Sequence, residues 1–263
     1  MENQRHIVLG SQGFIGKYLV SFLQKQNKTV IGYDIKNSEA EDCRNIDLQL
    51  RKEDILYFLA WEVGGAKYLY RQDTQLDQIK SNIQLLTNVF GQLEKSKCQF
   101  IFISSQLATT YSVYGSLKRI GELWSSQLNG CCVRLWNAYG AKENLSERSH
   151  VVSDFIYQAL QNHEIKLLTN GEEERQFIHV YDICTAIQQI LLKNDTHIYD
   201  ITSNEWVQIK EIAQIISSYL HVDCILGEEK GKTYNVKIEG FPPYWKPSVP
   251  LTLGIKQTIE IYR

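Results

Sequence analysis

Excess basic charge and long apolar runs are both missing from this sequence, and each absence excludes a class of protein. The 263 residues carry 28 Lys and Arg against 30 Asp and Glu, without the basic block or stripe that nucleic-acid binding requires. No apolar run approaches the length of a membrane span, and the first six residues lead into a short strand without the apolar core of a signal peptide. We therefore expect neither a nucleic-acid partner nor a membrane association.

Paired cysteines are missing as well. The six cysteines show no Cys-x-x-Cys pair and no spacing typical of metal ligands. Cys98, Cys131 and Cys132 begin apolar segments, where cysteine serves as a small hydrophobic residue. The sequence therefore predicts a reduced, cytoplasmic protein without a structural or catalytic metal.

A glycine-rich turn follows the first apolar segment of the chain. Gly10, Gly13 and Gly16 lie between a short predicted strand and an amphipathic helix, and Asp34 ends the next strand, 18 residues after Gly16. In such a βαβ unit the first glycine permits a tight turn, the second lets a pyrophosphate approach the helix N-terminus, and the third allows close packing. The pattern predicts a dinucleotide site; its alternative is a glycine turn without a ligand.

The acidic residues that follow bear on which dinucleotide is bound. A carboxylate at Asp34 accepts hydrogen bonds from adenosine ribose hydroxyls and repels a 2′-phosphate, so NAD is favoured over NADP. Lys36 nearby moderates that preference. Asp47 is either a partner for the adenine amino group or a solvated loop acid, and the sequence leaves both open.

A second polar stretch begins where the apolar segment 100–103 ends. Ser104 and Ser105 follow that predicted strand, and Tyr114 and Lys118 lie four residues apart at the start of a predicted helix, hence on one helix face. An ammonium beside a phenol lowers the pKa of the phenol, and a nearby hydroxyl can hold a substrate against it. This combination is suited to moving a proton to or from a carbinol or carbonyl oxygen. Taken alone, the spacing favours a surface Tyr–Lys pair on a helix over a catalytic one.

Near-continuous apolar strands alternate with helices over the first 140 residues, among them a long helix over 73–95 with one apolar side. This order predicts an α/β fold with a Rossmann-like, doubly wound parallel sheet. We expect residues 1–140 to form the NAD-binding domain, with 175–202 returning to it. Residues 141–174 and 203–263 are expected to form a small C-terminal α/β substrate-binding domain.

Several short motifs follow one another along nearly the whole chain. They are Gly10-x-x-Gly13-x-x-Gly16, Asp34, Asp47-Leu48, Leu59-Ala60, Ser104-Ser105, Tyr114-x-x-x-Lys118, Arg134-x-x-Asn137-x-Tyr139-Gly140 and Arg175-Gln176-Phe177-Ile178-His179-Val180-x-Asp182-Ile183. In this order they resemble the extended short-chain dehydrogenase/reductases, specifically the nucleotide-sugar epimerase/dehydratase family.

The resemblance implies an NAD site and a catalytic triad. In the implied triad Tyr114 is the acid/base, Lys118 binds the nicotinamide ribose and lowers the tyrosine pKa, and Ser105 holds the substrate, with Ser104 as the alternative. The implied cofactor residues are Gly10, Gly13, Phe14, Ile15, Gly16, Asp34, Asp47, Leu48, Leu59, Ala60, Tyr114 and Lys118.

The resemblance also implies two substrate-binding residues. Asn137 would contact the substrate near its phosphates, and Arg175 would pair with the diphosphate through its fork of donors. The alternative for Arg175 is an ion pair with the acids at 172–174. His179, in the same motif, is interpreted as a packing residue.

Two departures from the family pattern narrow the expected reaction. Family 4,6-dehydratases carry an Asp-Glu pair directly after the catalytic serine or threonine, whereas this chain has Gln106 and Leu107. The fucose-synthase type has a cysteine where this chain has Leu107. Neither side chain transfers protons, so dehydration and double epimerisation are not expected. The connection from Ser105 to Tyr114 is also shorter than the family usually has.

The resemblance therefore implies oxidoreduction at one sugar carbon, C4, of a nucleotide sugar. A 4-epimerase in surface polysaccharide or glycan precursor synthesis is the first expectation. The alternatives are a nucleotide-sugar 4-dehydrogenase or 4-ketoreductase, a phosphosugar- or heptose-directed enzyme, and a non-catalytic NAD-sensing protein. A homodimer through the helices near 73–95 and 114–128 is expected from the habit of the family.

Overall fold

A computed structural model describes residues 4–63, 68, 71–143, 149–233 and 236–263. Its helices are α1 (Phe14–Gln24), α2 (Gln72–Ser96), α3 (Val113–Gln127), α4 (Val151–Asn162), α5 (Val180–Lys193), α6 (Ile209–Leu220) and α7 (Leu251–Tyr262). Its strands are β1 (Arg5–Leu9), β2 (Thr29–Tyr33), β3 (Ile55–Phe58), β4 (Gln99–Ser105), β5 (Cys131–Leu135), β6 (Asn137–Tyr139), β7 (Glu164–Lys166), β8 (Glu174–Arg175), β9 (Phe177–His179), β10 (Ile198–Ile201), β11 (Val207–Gln208) and β12 (Asp223–Ile225).

The central element is a six-stranded sheet in the order β2-β1-β3-β4-β5-β10, and every pairing in it is parallel. After β2 the chain crosses to the other side of β1, so the strand order reverses between β1 and β3. Ligands of open α/β sheets bind at such a reversal, outside the carboxyl ends of the strands. The segments that begin at Gly10, Leu59 and Gln106 all leave the sheet at this edge.

Helices cover both faces of the sheet, each over its own apolar core. On one face α1 and α5 bury Leu19, Leu23 and Ile187 against the strands. On the other face α2 contributes Leu86 and Phe90, and the Phe90 ring stacks on Trp124 of α3 at 5.2 Å. The predicted doubly wound parallel sheet is therefore confirmed.

A third core lies outside the central sheet and is built from the later part of the chain. Helices α4, α6 and α7 enclose it with Ile156, Ile212 and Ile259, all fully buried. Three short strand pairs border this region: β7 with β12, β8 with β11, and β6 with β9. Strand β10 instead lies at the edge of the central sheet, beside β5. The domain boundaries expected from the sequence stay a prediction.

Helix α2 has an apolar side that is only partly buried. With 25 residues it is roughly 37 Å long, whereas the seven residues of β4 span roughly 23 Å, so the helix extends past the sheet. Its second half is packed on the core, but its first half and the neighbouring α3 leave apolar side chains exposed. These are Leu76, Ile79, Ile83, Ile120 and Leu123.

Within the described ranges, every helix is too short or too polar to cross a membrane.

Candidate active site

A cleft of about 1070 Å³ opens at the carboxyl edge of the sheet. Most of the residues singled out from the sequence line it. They are Gly10, Gly13, Phe14, Ile15, Gly16, Asp34, Leu59, Ala60, Ser104, Ser105, Tyr114, Lys118, Asn137 and Arg175.

The glycine turn shapes one wall of this cleft. Gly10 has a φ of +81° and its N–H donates to Tyr33 O at 2.9 Å, which ties the turn to β2. A Cβ on Gly16 would lie 2.0 Å from Gly10 O, so only glycine lets α1 begin this close to the strand. The start of α1, at Phe14, therefore borders the cleft. Free backbone N–H groups at a helix start attract a phosphate, so this wall fits the pyrophosphate of a dinucleotide.

Asp34 is fixed beside that turn. Its carboxylate accepts hydrogen bonds from the backbone N–H groups of Gln12 at 2.8 Å and Lys36 at 2.9 Å. The residue is buried but lines the cleft. Since a carboxylate oxygen has a second acceptor site, Asp34 can hold the turn and still accept a hydroxyl.

Asp47 and Leu48 are not brought to the cleft. The Asp47 carboxylate is exposed and accepts the N–H of Gln49 at 3.0 Å, while Leu48 is buried in the core beneath α2. The wall at this end is made by residues 42–44 instead, where Arg44 pairs with Asp42 at 2.8 Å. Residues 45–48 run along α2: Asn88 and Gln92 of that helix donate to Ile46 O, and Gln92 accepts the N–H of Leu48.

The two serines at the end of β4 have different partners. The Ser104 hydroxyl donates to the Glu122 carboxylate at 2.6 Å, in a buried position. The Ser105 oxygen accepts the N–H of Leu107 at 3.2 Å, which leaves its hydroxyl hydrogen outside that bond. Ser105 is therefore better placed to donate to a substrate.

Tyr114 and Lys118 lie in the first two turns of α3. Ser112 caps the helix by accepting the N–H of Gly115 at 3.0 Å. The Lys118 ammonium lies 5.9 Å from the centre of the Tyr114 ring and donates to Ile103 O at 2.7 Å. Burial lowers the pKa of Lys118 to about 7.

Asn137 and Arg175 mark the opposite wall. Asn137 donates through Nδ2 to Gln176 O at 2.8 Å. Arg175 donates to Glu174 O at 2.7 Å and to Lys232 O at 2.9 Å. These two guanidinium bonds go to backbone oxygens, and the side chain still lines the cleft.

Several cleft residues were missed from the sequence, three aromatic ones among them. His150 stacks on Phe14 at 4.9 Å, and Trp206 packs edge-on against Trp136 at 5.7 Å. Both come from distant parts of the chain and belong to no motif. Trp61, which lies over Lys118 at 3.7 Å, directly follows the Leu59-Ala60 motif, so its position was the one available signal.

A parallel sheet with a glycine turn, an acid at the end of β2 and a cleft at the carboxyl ends of the strands is typical of Rossmann-fold, dinucleotide-dependent proteins. Comparison with known proteins agrees. The NAD dependent epimerase/dehydratase family matches residues 6–202. The UDP-glucuronic acid decarboxylase 1 of Danio rerio is 21% identical, with 99% of this chain and 73% of that protein covered.

Solved structures agree on the fold. The UDP-glucose 4-epimerase of Thermotoga maritima, solved with UDP-glucose, superposes with a TM-score of 0.82 at 20% identity, covering 99% of both chains. The UDP-N-acetylglucosamine 4-epimerase of Methanobrevibacter ruminantium M1, in complex with UDP-N-acetylmuramic acid, gives 0.83 at 19% identity, covering 100% of this chain and 99% of that one. The chain belongs to the NAD-dependent epimerase/dehydratase family.

Proposed function

We propose that the protein is a nucleotide-sugar 4-epimerase that uses NAD, in surface polysaccharide or glycan precursor synthesis. The proposal rests on one observation. Ser105, Tyr114 and Lys118 line the same cleft as Gln106 and Leu107. The first three residues serve oxidation and reduction at one carbon. The other two contribute no acid or base for a second reaction.

The described residues fit NAD. The glycine turn would receive the pyrophosphate, because a Cβ on Gly16 would strike Gly10 O and its absence lets α1 begin directly beside the turn, at the border of the cleft. Asp34 would accept the hydroxyls of the adenosine ribose, and its charge favours NAD over NADP. When bound, NAD supplies a hydride acceptor and donor.

Tyr114 is the proposed acid/base. It takes the proton from the hydroxyl on the oxidised carbon and returns a proton when the ketone is reduced again. Lys118, four residues further along the same helix, favours the phenolate through its charge. Ser105 donates to the same sugar oxygen and holds it in place.

Gln106 and Leu107 separate this reaction from others in the family. Both line the cleft next to Ser105, where dehydration would require an acid and a base to act on neighbouring sugar carbons. An amide and an alkyl group transfer no protons at neutral pH. Epimerisation at C4 requires only that the 4-keto sugar present its other face. If the keto sugar leaves instead, the same residues give a 4-dehydrogenase or, in reverse, a 4-ketoreductase.

The experiment that tests this function starts from the nicotinamide carried by the purified protein. Nucleotide sugars are added one at a time, and absorbance of reduced nicotinamide is followed together with the products. Tightly held NAD, with a C4 epimer formed and no net reduced cofactor, supports the epimerase. Absorbance that changes in step with one sugar indicates a dehydrogenase or ketoreductase instead. Parallel loading with NADP measures the cofactor preference.

The proposal includes a homodimer through the exposed apolar side of α2 and α3. Leu123→Glu places a charge in that surface and is expected to convert the dimer to monomer in sedimentation at micromolar concentration. Leu192→Glu is the matched control, because Leu192 is an exposed leucine on α5, away from this surface. A wild-type protein that sediments as a monomer would remove the dimer from the proposal.

A further inference from the structure

Lys118 is held inside the protein by a tryptophan. Its ammonium nitrogen lies 3.7 Å from the centre of the Trp61 ring, within the distance of a cation–π interaction. The same nitrogen donates to Ile103 O at 2.7 Å, and only 4% of the residue is exposed. The indole therefore covers one side of the charge, and a carbonyl covers another.

The Trp61 ring is positioned by ring contacts with Lys118 and Phe102. Its Nε1 is buried and finds no hydrogen-bond partner among the described residues. The ring instead packs at 62° against Phe102, with 5.8 Å between centres. Because the N–H makes no such bond, the contact with the ammonium is the polar interaction that the structure gives this ring.

Other groups also face the Lys118 ammonium, and the Phe102 ring lies further from it than Trp61, at 5.1 Å. Glu122 on the same helix and Cys132 on β5 face it electrostatically, and Tyr114 lies on its cleft side. The Glu122 carboxylate is already engaged by Ser104 and by both ends of the Arg134 fork. Burial lowers the pKa of Lys118 to about 7, so small changes around the ammonium alter its protonation near neutral pH.

We infer that Trp61 is a positioning residue whose indole face keeps the Lys118 ammonium charged and in place beside Tyr114. The inference rests on the proposed function only for its effect on kcat. Aromatic faces attract cations by their quadrupole, and the attraction is largest in sites shielded from water. Trp61 thus offsets part of the desolvation that drives Lys118 toward its neutral form.

This role predicts the direction of a pH effect. Lys118 is charged below its pKa and neutral above it, so its support of the Tyr114 phenolate is lost as the pH rises through that value. Replacing the indole by an alkyl group lowers the pKa of Lys118. The alkaline limb of the kcat profile then moves to lower pH by the same amount.

The test measures Lys118 directly by ¹⁵N NMR of lysine side chains in the purified protein, with the Nζ signal assigned by its loss in Lys118→Met. We expect Trp61→Leu to lower the titration midpoint of Lys118 by about 0.5 to 1.5 units. Trp61→Phe keeps an aromatic face and is expected to give a smaller fall. Trp206→Leu is the control, since it removes another cleft indole and leaves the midpoint unchanged.

Two results would overturn the inference. An unchanged midpoint in a folded Trp61→Leu protein would mean that the indole only fills space. A midpoint that rises toward that of free lysine would mean that the indole acts by excluding water. If Trp61→Leu does not fold, Trp61→Phe decides, with a fall of at least about 0.3 units in support and no change against. These signals need no sugar, so they stand even if the proposed epimerisation fails.

Discussion

Replacing Tyr114 with phenylalanine is expected to lower kcat on the nucleotide sugar by about a hundredfold to ten-thousandfold. The change removes one oxygen atom from a half-buried ring that lines the cleft, and it leaves the glycine turn and Asp34 as they are. Without the phenol, nothing takes the proton when the carbinol becomes a ketone. NAD binding, measured by quenching of tryptophan fluorescence, should stay within about threefold of the wild type.

The chain offers a matched control in Tyr111. It lies three residues earlier, before α3 begins, and its ring is fully exposed to solvent. Tyr111→Phe removes the same atom from the same kind of side chain and should leave kcat unchanged. Full activity in Tyr114→Phe would exclude Tyr114 as the acid/base. If the wild type shows no turnover and Tyr114→Phe keeps the response to ligand, an NAD-sensing protein is favoured instead.

The sequence predicts the sheet and the glycine turn well because local rules determine both. Parallel strands covered on both faces have to be apolar throughout, and this makes β1, β3 and β4 visible in the sequence. Gly10 and Gly16 are required by a positive φ and by a close approach of backbone to backbone, and each constraint acts within a few residues. Asp34 is located by the end of β2 alone.

The rest of the cleft depends on how distant segments meet, and the sequence does not encode that in a local pattern. Asp47 and Asp42 are both acids that follow β2, but side chains of α2 hold residues 45–48 and so decide which of the two lines the cleft. In the sequence, Trp61 resembles a core residue that follows β3. Its contact with Lys118, 57 positions later in the chain, is visible only in the structure. His150 becomes a cleft residue only because its ring stacks on Phe14, more than a hundred positions earlier in the chain.

The buried ion pair between Glu122 of α3 and Arg134 of β5 was not predicted, although Arg134 belongs to one of the sequence motifs. Its guanidinium donates to both oxygens of Glu122, at 2.7 and 2.8 Å. It also donates to Glu239 in the tail, defined here as residues 236–250 before α7. Ser104 donates to the same Glu122 carboxylate. The cluster therefore joins β4, β5 and the tail to α3, the helix that carries Tyr114.

Glu122→Ala is expected to lower the free energy of unfolding by about 3 to 5 kcal/mol. Arg134 and Glu122 are both almost completely buried, so removing the carboxylate leaves a buried guanidinium with one partner, Glu239, which is half exposed. The Ser104 hydroxyl loses its acceptor in the same step. Urea unfolding followed by circular dichroism measures the change. Glu122→Gln keeps the shape of the side chain and should lose less.

An exposed ion pair provides the control for Glu122→Ala. It shows how much stability is lost when a carboxylate is removed from the surface. Glu260 pairs with Arg263 at 2.9 Å near the end of α7, where both side chains are about half exposed. Exposed pairs contribute about 0 to 1 kcal/mol, so Glu260→Ala should stay within that range. If Glu122→Ala were equally mild, water would have to reach Arg134 in the variant. In that case α3 and Tyr114 would be held by packing against the sheet, not by the ion pair.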